Sequence, residues 1–509
     1  MSRTKKSAIN SVVGIVCMLI SSLLSFALQA VFIRLLGLEY SGINGLFADI
    51  LKILNLAELG INNAILFRLY KHIADDDQTE IEKVLSFYRK FSYTVGLIIL
   101  FVGLLFVPFL HFFVKEAPSF PESLWSLYLI VLATSVVSQF NHYKSVLIIA
   151  KQDRYIYTII TYAIIFLKHA LQILVLWLFS NIYLYLLVPL FTTILSGIVT
   201  GIISRRKYSH SFYSKEKLTK EEKREFTKDA GMLSVYKLCR TLDATIDTFL
   251  ISKFVSVSIS AIYASFSMLL TTLTDLFCSF NDAIIASVGD LHASGEKEKV
   301  EGVFYQSLHF NYLIFGISTS VLAAIISPFV EWWIGHTLST LSVVFLLINF
   351  YIHAFGQNIA TFRNSMGLFR KGWKQPAVTV ALNLIFSVVL IQKLDLVGTL
   401  IGTFVAGFLT RMWYDPYIVC KYGFDKPPFK YYFRYICYFS LTAFAAIVNV
   451  YVSKSLNMLD NIFGLIITGC VCLFVSVIII FAFGFIYKEQ KILLDIIKSI
   501  ILGIFKKRV

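Results

Sequence analysis

Charged residues are scarce in this sequence. They make up 15% of its 509 residues, whereas 57% are hydrophobic and the mean hydropathy is +0.74. A soluble protein carries about 25% charged residues. Because a soluble chain this apolar could not cover its surface with polar atoms, the composition excludes an ordinary soluble protein. It predicts an all-α, polytopic membrane protein.

Sequence motifs of several function classes are also missing. The seven cysteines all fall in apolar runs and form neither a CxxC pair nor a metal-ligand spacing, so they are interpreted as small packing residues. There is no GxxxxGK[ST] motif, which excludes a primary ATPase. We therefore expect no metal and no cofactor.

Long apolar runs recur along the whole chain. A bilayer core needs about 20 apolar residues in a helix. The sequence predicts about fourteen such spans, near residues 8–35, 42–70, 88–114, 122–150, 155–179, 182–204, 229–253, 257–289, 301–328, 340–368, 375–393, 396–420, 434–454 and 459–487. The first run is too long for the apolar region of a signal peptide and no cleavage site follows it, so it is interpreted as a retained first helix.

The basic residues give these spans an orientation. Loops on the side of the N-terminus hold 33 Lys and Arg, the opposite loops hold five, and eight lie within the spans. This split fits the positive-inside rule and predicts a multi-pass membrane protein with both termini in the cytoplasm. It also accounts for the net charge of +15, so no nucleic-acid partner is expected. The outer loops are short, which argues against a membrane enzyme with a large extracytoplasmic catalytic loop.

An internal repeat indicates the domain organisation. A shift of about 219 residues places span one on span seven and span six on span twelve; for example, Pro108-Phe109 falls on Pro328-Phe329 and Lys144 on Arg363. Repeats of six spans run in the same direction, as in transporters built from two facing bundles. The predicted domains are an N-terminal lobe (1–204), a cytoplasmic linker (205–228), a C-terminal lobe (229–422), two extra spans (434–487) and an amphipathic cytoplasmic tail (488–509).

Two short stretches carry a resemblance to a known family. Residues 32–42 (FIRLLGLEYSG) and 56–65 (LAELGINNAI) resemble the first two helices of Wzx-type polysaccharide-biosynthesis flippases. These belong to the multidrug/oligosaccharidyl-lipid/polysaccharide exporter superfamily. Residues 248–263 resemble the corresponding turn of the second half, but have Lys-Phe where Leu-Gly is common. The resemblance covers about residues 5–490, and fourteen spans favour this branch over the twelve-span drug exporters.

The resemblance implies two six-helix lobes around a cavity and transport by alternating access. The implied cargo is an oligosaccharide linked to undecaprenyl pyrophosphate, for capsule or other surface polysaccharide. The implied partners are this lipid-linked oligosaccharide, membrane lipids and the polysaccharide assembly machinery. A cation-coupled multidrug antiporter of the same fold is the alternative, and it should have an acidic or neutral cavity. A cavity lined with cations instead suits a pyrophosphate.

Ionisable residues inside a membrane are costly and mark functional positions. Seven of the eight embedded cations are candidates for substrate binding in a cavity: Lys144, Arg363, Arg68, Lys237, Arg240, Arg411 and Lys168. The competing interpretation is that long basic side chains near a helix end extend to the interface. This alternative stays open for Arg68, near the cytoplasmic end of span two, and for Lys144 and Arg363, about two turns inside spans four and ten.

Lys144 and Arg363 occupy equivalent positions in the repeat. Two cations that face one axis could hold a diphosphate from both sides, the Arg as a bidentate fork and the Lys as a point charge. Lys168 lies at mid-helix in span five, next to His169, and a lone membrane histidine is more often a packing residue. Arg411 lies in the outer half or middle of span twelve, with a cavity role and a structural role equally open.

Span seven has one polar face. Lys237 and Arg240 lie roughly 12–18 Å from its cytoplasmic boundary at about 1.5 Å per residue, too deep to extend easily to the interface. Asp243 and Asp247 follow at helical spacing. Either these four residues form a neutral structural ion-pair group, or they bind substrate and switch with a coupling proton or cation, for which Asp243 and Asp247 are the candidates.

Overall fold

A computed structural model describes most of the chain. The described ranges are 3–55, 59–115, 119–151, 153–208, 237–293, 297–368, 371–372, 374–459, 461–492 and 494–495. All regular structure within these ranges is helical, which confirms the predicted all-α class. Most of the predicted linker, the start of span seven and most of the amphipathic tail lie outside the described residues.

The chain divides into two compact units, Met1–Ala264 and Ser265–Val509. The helices of unit 1 are α1 (Arg3–Leu36), α2 (Leu38–Leu54), α3 (Leu59–Ala74), α4 (Gln78–Phe106), α5 (Leu124–Ala150), α6 (Arg154–Phe179), α7 (Ile182–Tyr208) and α8 (237–250). A 3₁₀ segment, Val107–Phe113, prolongs α4, and a π-helical segment, Ile251–Val255, prolongs α8.

Unit 1 packs around α5, which lies against α4, α6 and α7, while α1 packs on α6. Small residues allow the close approach that holds membrane helices together. The ring of Phe140 fills the space beside Gly96, and the side chain of Leu132 fills the space beside Gly103. The resulting core includes Phe47 and Tyr128, both almost completely buried.

The helices of unit 2 are α10 (Lys297–Ile334), α11 (Thr340–Ser365), α12 (Gln375–Leu409), α13 (Arg411–Ile418), α14 (Phe429–Leu456) and α15 (Ile462–Gly484). Helix α9 (Val257–Ala293) crosses the boundary between the units. Within unit 2, α10 packs against α11, α14 and α15.

Helix α12 is a hairpin of two antiparallel arms. Asp395 interrupts the helix with φ 49° and ψ −134°. Residues before Asp395 meet residues after it: the Thr379 and Thr410 hydroxyls lie 2.8 Å apart, and Ser387 Oγ donates to the Thr399 carbonyl. The chain therefore reverses where the sequence predicts the end of span eleven and the start of span twelve.

Eleven helical stretches within the described residues are long and apolar enough to cross a membrane. The difference from the predicted count of about fourteen has three sources. The α12 hairpin lies inside one 49-residue stretch, Gln375–Gly423, although it contains two predicted spans. Predicted span two consists of two short helices, α2 and α3, and only part of span seven is described.

The helix order follows the predicted repeat. Helices α4 and α10 begin at Gln78 and Lys297, 219 positions apart, and α6 and α12 begin at Arg154 and Gln375, 221 apart. The compact unit, however, extends past the predicted lobe boundary at residue 204 to Ala264.

The C-terminal end of span seven packs within unit 1. Lys115 N donates to the Ser252 carbonyl at 3.1 Å, and the rings of Phe113 and Phe249 are 5.4 Å apart. These contacts lie near the end of α8 and in the π-helical segment that follows it. They explain why unit 1 extends beyond the predicted lobe boundary at residue 204. The assignment of domains by lobes stays a prediction.

Candidate functional site

A polar cavity lies within unit 1 among α5, α6 and α7. Its volume is about 250 Å³. Its lining residues are Ser138, Asn141, His142 and Ser145 from α5, Tyr157, Thr161, Ile164, Ile165 and Lys168 from α6, and Thr192, Thr193, Ser196, Gly197 and Thr200 from α7. This many hydroxyl, amide and amine groups inside three apolar helices make the cavity the candidate functional site.

Helical spacing brings these polar groups together. On α6, Tyr157, Thr161 and Lys168 follow one another at four and seven positions, which places them on one face. On α5, Ser138, Asn141 and Ser145 follow one another at three and four positions, which also places them on one face. Each helix therefore turns one polar stripe to the cavity, while its remaining faces meet other helices or lie exposed.

Lys168 occupies the middle of α6, about 21 Å along the helix from Arg154 at roughly 1.5 Å per residue. Its side chain is half-buried and lines the cavity. Within the described part of the chain, no hydrogen-bond acceptor or carboxylate binds its ammonium group. No Asp or Glu is among the lining residues. Lys168 therefore presents a positive charge that the described protein groups leave uncompensated.

Lys144 lies beside the same cavity, on α5. Its Nζ donates to Asn141 Oδ1 at 2.7 Å and to the Gly197 carbonyl at 3.2 Å. Asn141 in turn donates from Nδ2 to the Thr193 carbonyl at 3.2 Å. These bonds link α5 to α7, and they direct Lys144 to two residues that line the cavity. Both Lys144 and Lys168 thus belong to one polar group, which the sequence did not indicate.

His169, the neighbour of Lys168, faces away from the cavity lining. It is buried, and its Nδ1 lies 3.5 Å from Ser25 Oγ of α1. This contact agrees with the interpretation of the histidine as a packing residue.

Arg363, the repeat equivalent of Lys144, has a different environment in unit 2. Its guanidinium Nη1 donates to Asp415 Oδ1 at 2.5 Å, and the two side chains are 1% and 5% exposed. The ion pair joins α11 to α13. Sequence analysis did not identify Asp415 as the partner of Arg363. The available signal was a carboxylate inside an apolar predicted span, span twelve. The prediction that Lys144 and Arg363 together hold a diphosphate stays a prediction.

Arg411 begins α13 directly after the non-helical Thr410, whose φ and ψ are −122° and −72°. Its Nη1 lies 3.3 Å from His353 Nδ1 of α11. Both residues have further interactions. Arg411 is half-buried at a kink of the chain, and its position within unit 2 fits either a structural role or a cavity role.

The polar face of span seven is present on α8. Lys237, Arg240 and Asp243 are half-buried, whereas Asp247 is buried. Tyr263 OH donates to Asp247 Oδ2 at 3.3 Å, which connects α8 to α9 within unit 1. Arg68 is half-buried on α3. Arg68, Lys237, Asp243 and Asp247 each have additional interactions within the protein.

Comparisons with family profiles and with solved structures place the chain among known proteins. The profile of the family described as "Polysaccharide biosynthesis protein" matches residues 7–285. A comparison with curated protein sequences finds no match. Among solved structures, the lipid II flippase MurJ in an inward closed conformation has a TM-score of 0.70 at 14% identity, covering 93% of this chain and 98% of MurJ.

Multidrug transporters of the MATE family have the same architecture. An inward-facing MATE transporter of the MOP superfamily has a TM-score of 0.62 at 14% identity over 79% of this chain and 97% of that one. A variant of the Vibrio cholerae MATE transporter VcmN has a TM-score of 0.55 at 15% identity, over 80% and 93%. Identities this low show the fold alone. The profile match spans more than half of the sequence, and the chain therefore belongs to the polysaccharide biosynthesis protein family.

Proposed function

We propose that this protein is a flippase for a polyprenyl-pyrophosphate-linked oligosaccharide, which it moves across the bacterial cytoplasmic membrane by alternating access. The observation that carries the proposal is Lys168, an ammonium group in a polar cavity whose described lining contains no carboxylate. A charge inside a membrane protein needs compensation. An anionic cargo supplies that compensation, whereas a cationic drug would be repelled.

The proposed substrate-binding set is led by Lys168 and Lys144, which share one group of polar side chains. Arg68, Lys237, Arg240 and Arg411 complete the set as further half-buried cations on their helices. Arg363 acts in this proposal through Asp415, as the residue that fixes α13 and therefore the neighbouring Arg411.

The alternative is a cation-coupled multidrug antiporter. The acidic residues of α8 favour a coupling role, because Asp247 is buried and accepts a hydrogen bond from Tyr263. Such a carboxylate can respond to a proton or cation in either kind of transporter. We therefore assign Asp243 and Asp247 to coupling, and we expect Asp243→Asn/Asp247→Asn to remove the dependence of transport on an imposed ion gradient.

A ligand competition separates the two functions. A ligand that binds the folded protein raises its unfolding temperature by mass action. We expect an undecaprenyl-pyrophosphate-linked oligosaccharide to raise the unfolding temperature of the detergent-purified protein, and Lys168→Met to reduce this shift. A cationic dye such as ethidium should produce no shift. Stabilisation by ethidium alone would contradict the flippase and support the drug antiporter.

A further inference from the structure

The cavity among α5, α6 and α7 has hydrogen-bonding capacity that the protein does not use. Within the described structure, the hydroxyl groups of Ser138, Thr161, Thr193 and Ser196 take part in no hydrogen bond, although all four residues line the cavity. Polar groups inside a protein are normally satisfied by protein, water or ligand. These four hydroxyl groups, on three helices, are available to hydrogen-bond a ligand that carries donors and acceptors on several sides.

The positive charge of the lining is small. Among the lining residues that the structure describes, Lys168 is the single Lys or Arg. The neighbouring Lys144 already donates to Asn141 and Gly197. A diphosphate carries two or more negative charges and would leave at least one of them without a cation here. One carboxylate matches the one ammonium group of Lys168.

The size and the remaining surface of the cavity fit a single sugar ring. A volume of about 250 Å³ lies below the roughly 300–1,000 Å³ of sites for drug-sized ligands. Tyr157, Ile164 and Ile165 supply an aromatic and aliphatic wall on α6. The C–H face of a pyranose can pack on that wall while its hydroxyls meet the α5 and α7 side chains.

We propose that this cavity binds an acidic sugar of the carried saccharide. The carboxylate of a hexuronate-type ring pairs with Lys168, and the ring hydroxyls exchange hydrogen bonds with Thr161, Thr193 and Ser196. This inference rests on the proposed function and narrows it, because it names the substrate class as lipid-linked saccharides that contain a carboxylated sugar. The diphosphate is then held elsewhere by the remaining cations.

Direct binding tests the cavity independently of transport. The probes are methyl glucuronide and methyl glucoside, which differ in a carboxylate, with saturation-transfer NMR on the detergent-purified full chain. We expect the glucuronide to bind at least tenfold more tightly than the glucoside, because a hydrogen-bonded charge pair changes affinity by about 10- to 100-fold. Lys168→Met should remove that preference. Equal binding of both glycosides by the native protein would overturn the inference.

A matched variant separates loss of charge from loss of folding. Arg154→Met removes a cation from an exposed position at the start of the same helix, outside the cavity lining. It should retain the preference for the glucuronide. Thr161→Val should weaken glucuronide binding, while Thr158→Val, one turn away and outside the lining, should not. A Lys168→Met protein that still prefers the glucuronide would overturn the inference.

Transport then distinguishes this inference from the function on which it rests. Proteoliposomes receive undecaprenyl-pyrophosphate disaccharides that end in either glucuronate or glucose. We expect the glucuronate form to be flipped at least tenfold faster, with the advantage lost in Lys168→Met. Equal rates for both lipids would overturn the acidic-sugar site and leave the flippase standing. No movement of either lipid would overturn the proposed function itself, and with it the place of an acidic sugar in a carried saccharide.

Discussion

Arg363 of α11 and Asp415 of α13 form an ion pair of 2.5 Å in the interior of unit 2, with side-chain exposures of 1% and 5%. The space beside Gly372 is filled by the same guanidinium group, whose Nη1 would lie 3.1 Å from an added Cβ. Both charges are buried, so each contributes to the compensation of the other. The pair thereby joins α11 to the short helix that carries Arg411.

Breaking this pair should destabilise the protein strongly. Arg363→Met removes the buried cationic partner of the Asp415 carboxylate, and the loss of one member of a buried ion pair costs about 3–5 kcal/mol. Asp415→Leu should cost a similar amount of stability, because it removes the carboxylate partner of the buried Arg363 guanidinium group. The double variant should regain most of the lost stability, because buried pairs are often replaced by apolar groups at little cost. Thermal unfolding of the detergent-purified proteins measures all three.

The control is the exposed pair of Lys297 and Asp425, whose side chains are 48% and 66% exposed. The Lys297 ammonium group hydrogen-bonds the Asp425 carboxylate and holds the pKa of that carboxyl below its usual value. Surface pairs contribute little to stability, so Lys297→Met should leave the unfolding temperature nearly unchanged. Equal losses in Lys297→Met and Arg363→Met would contradict the role assigned to burial.

The two lysines at the unit 1 cavity should matter for transport. Lys144→Met removes the bonds to Asn141 and Gly197, and Lys168→Met removes the uncompensated charge. Each should lower the rate of lipid-linked oligosaccharide flipping by at least tenfold, about 1.4 kcal/mol, without loss of protein from the membrane. The readout is initial rate per mole of reconstituted protein.

Lys52→Met is the matched charge-removal control for these lysines. The Lys52 side chain is 63% exposed and pairs with Asp49 one turn earlier on α2. We expect its flipping rate to stay within twofold of the native rate. If Lys144→Met and Lys168→Met behaved like Lys52→Met, neither lysine would belong to the substrate path.

Gly197 provides a steric test of the contact between α5 and α7. An added Cβ would lie 2.1 Å from the Asn141 side-chain amide, so Asn141 and the Lys144 bonded to it would have to move. Gly197→Ala should therefore destabilise the protein by about 1–3 kcal/mol and slow transport. Gly45→Ala, which meets open space on α2, should have neither effect. A fully active, stable Gly197→Ala protein would contradict this packing.

The predicted orientation can be checked at the turns. Single cysteines are introduced at Asp395, the tip of the α12 hairpin, and at Asp76, the left-handed turn between α3 and α4, in a background without native cysteine. The positive-inside rule puts position 395 outside and position 76 inside. An impermeant maleimide should label position 395 in intact cells and position 76 only after permeabilisation. The reverse pattern would invert the topology.

Sequence periodicity predicts the helices well, since long apolar runs leave few alternatives to a membrane-spanning helix. Even the reversal at Asp395 follows from two apolar runs separated by a short polar step. The division of predicted span two between α2 and α3 does not follow, because hydropathy averages over the break near Asn55.

The cavity could be predicted only in part from the sequence. The embedded cations could be found by inspection, but their partners depend on the rotation of each helix. Lys144 and Arg363 are equivalent in the repeat, yet one reaches Asn141 and Gly197 and the other meets Asp415. The hydroxyls that line the cavity were overlooked because Ser and Thr are common in membrane helices and carry no charge. Their spacing of three to four residues on three successive helices was the usable signal.

The most direct test of the account is movement of the cargo by the purified protein alone. Proteoliposomes are loaded with undecaprenyl pyrophosphate that carries a fluorescent oligosaccharide, and an impermeant quencher reports the fraction in the outer leaflet over time. The account predicts that the native protein exposes the inner-leaflet pool rapidly, that Lys168→Met does so at least tenfold more slowly, and that empty liposomes do not. A native protein that leaves the inner pool protected, while it transports a cationic dye, would contradict it.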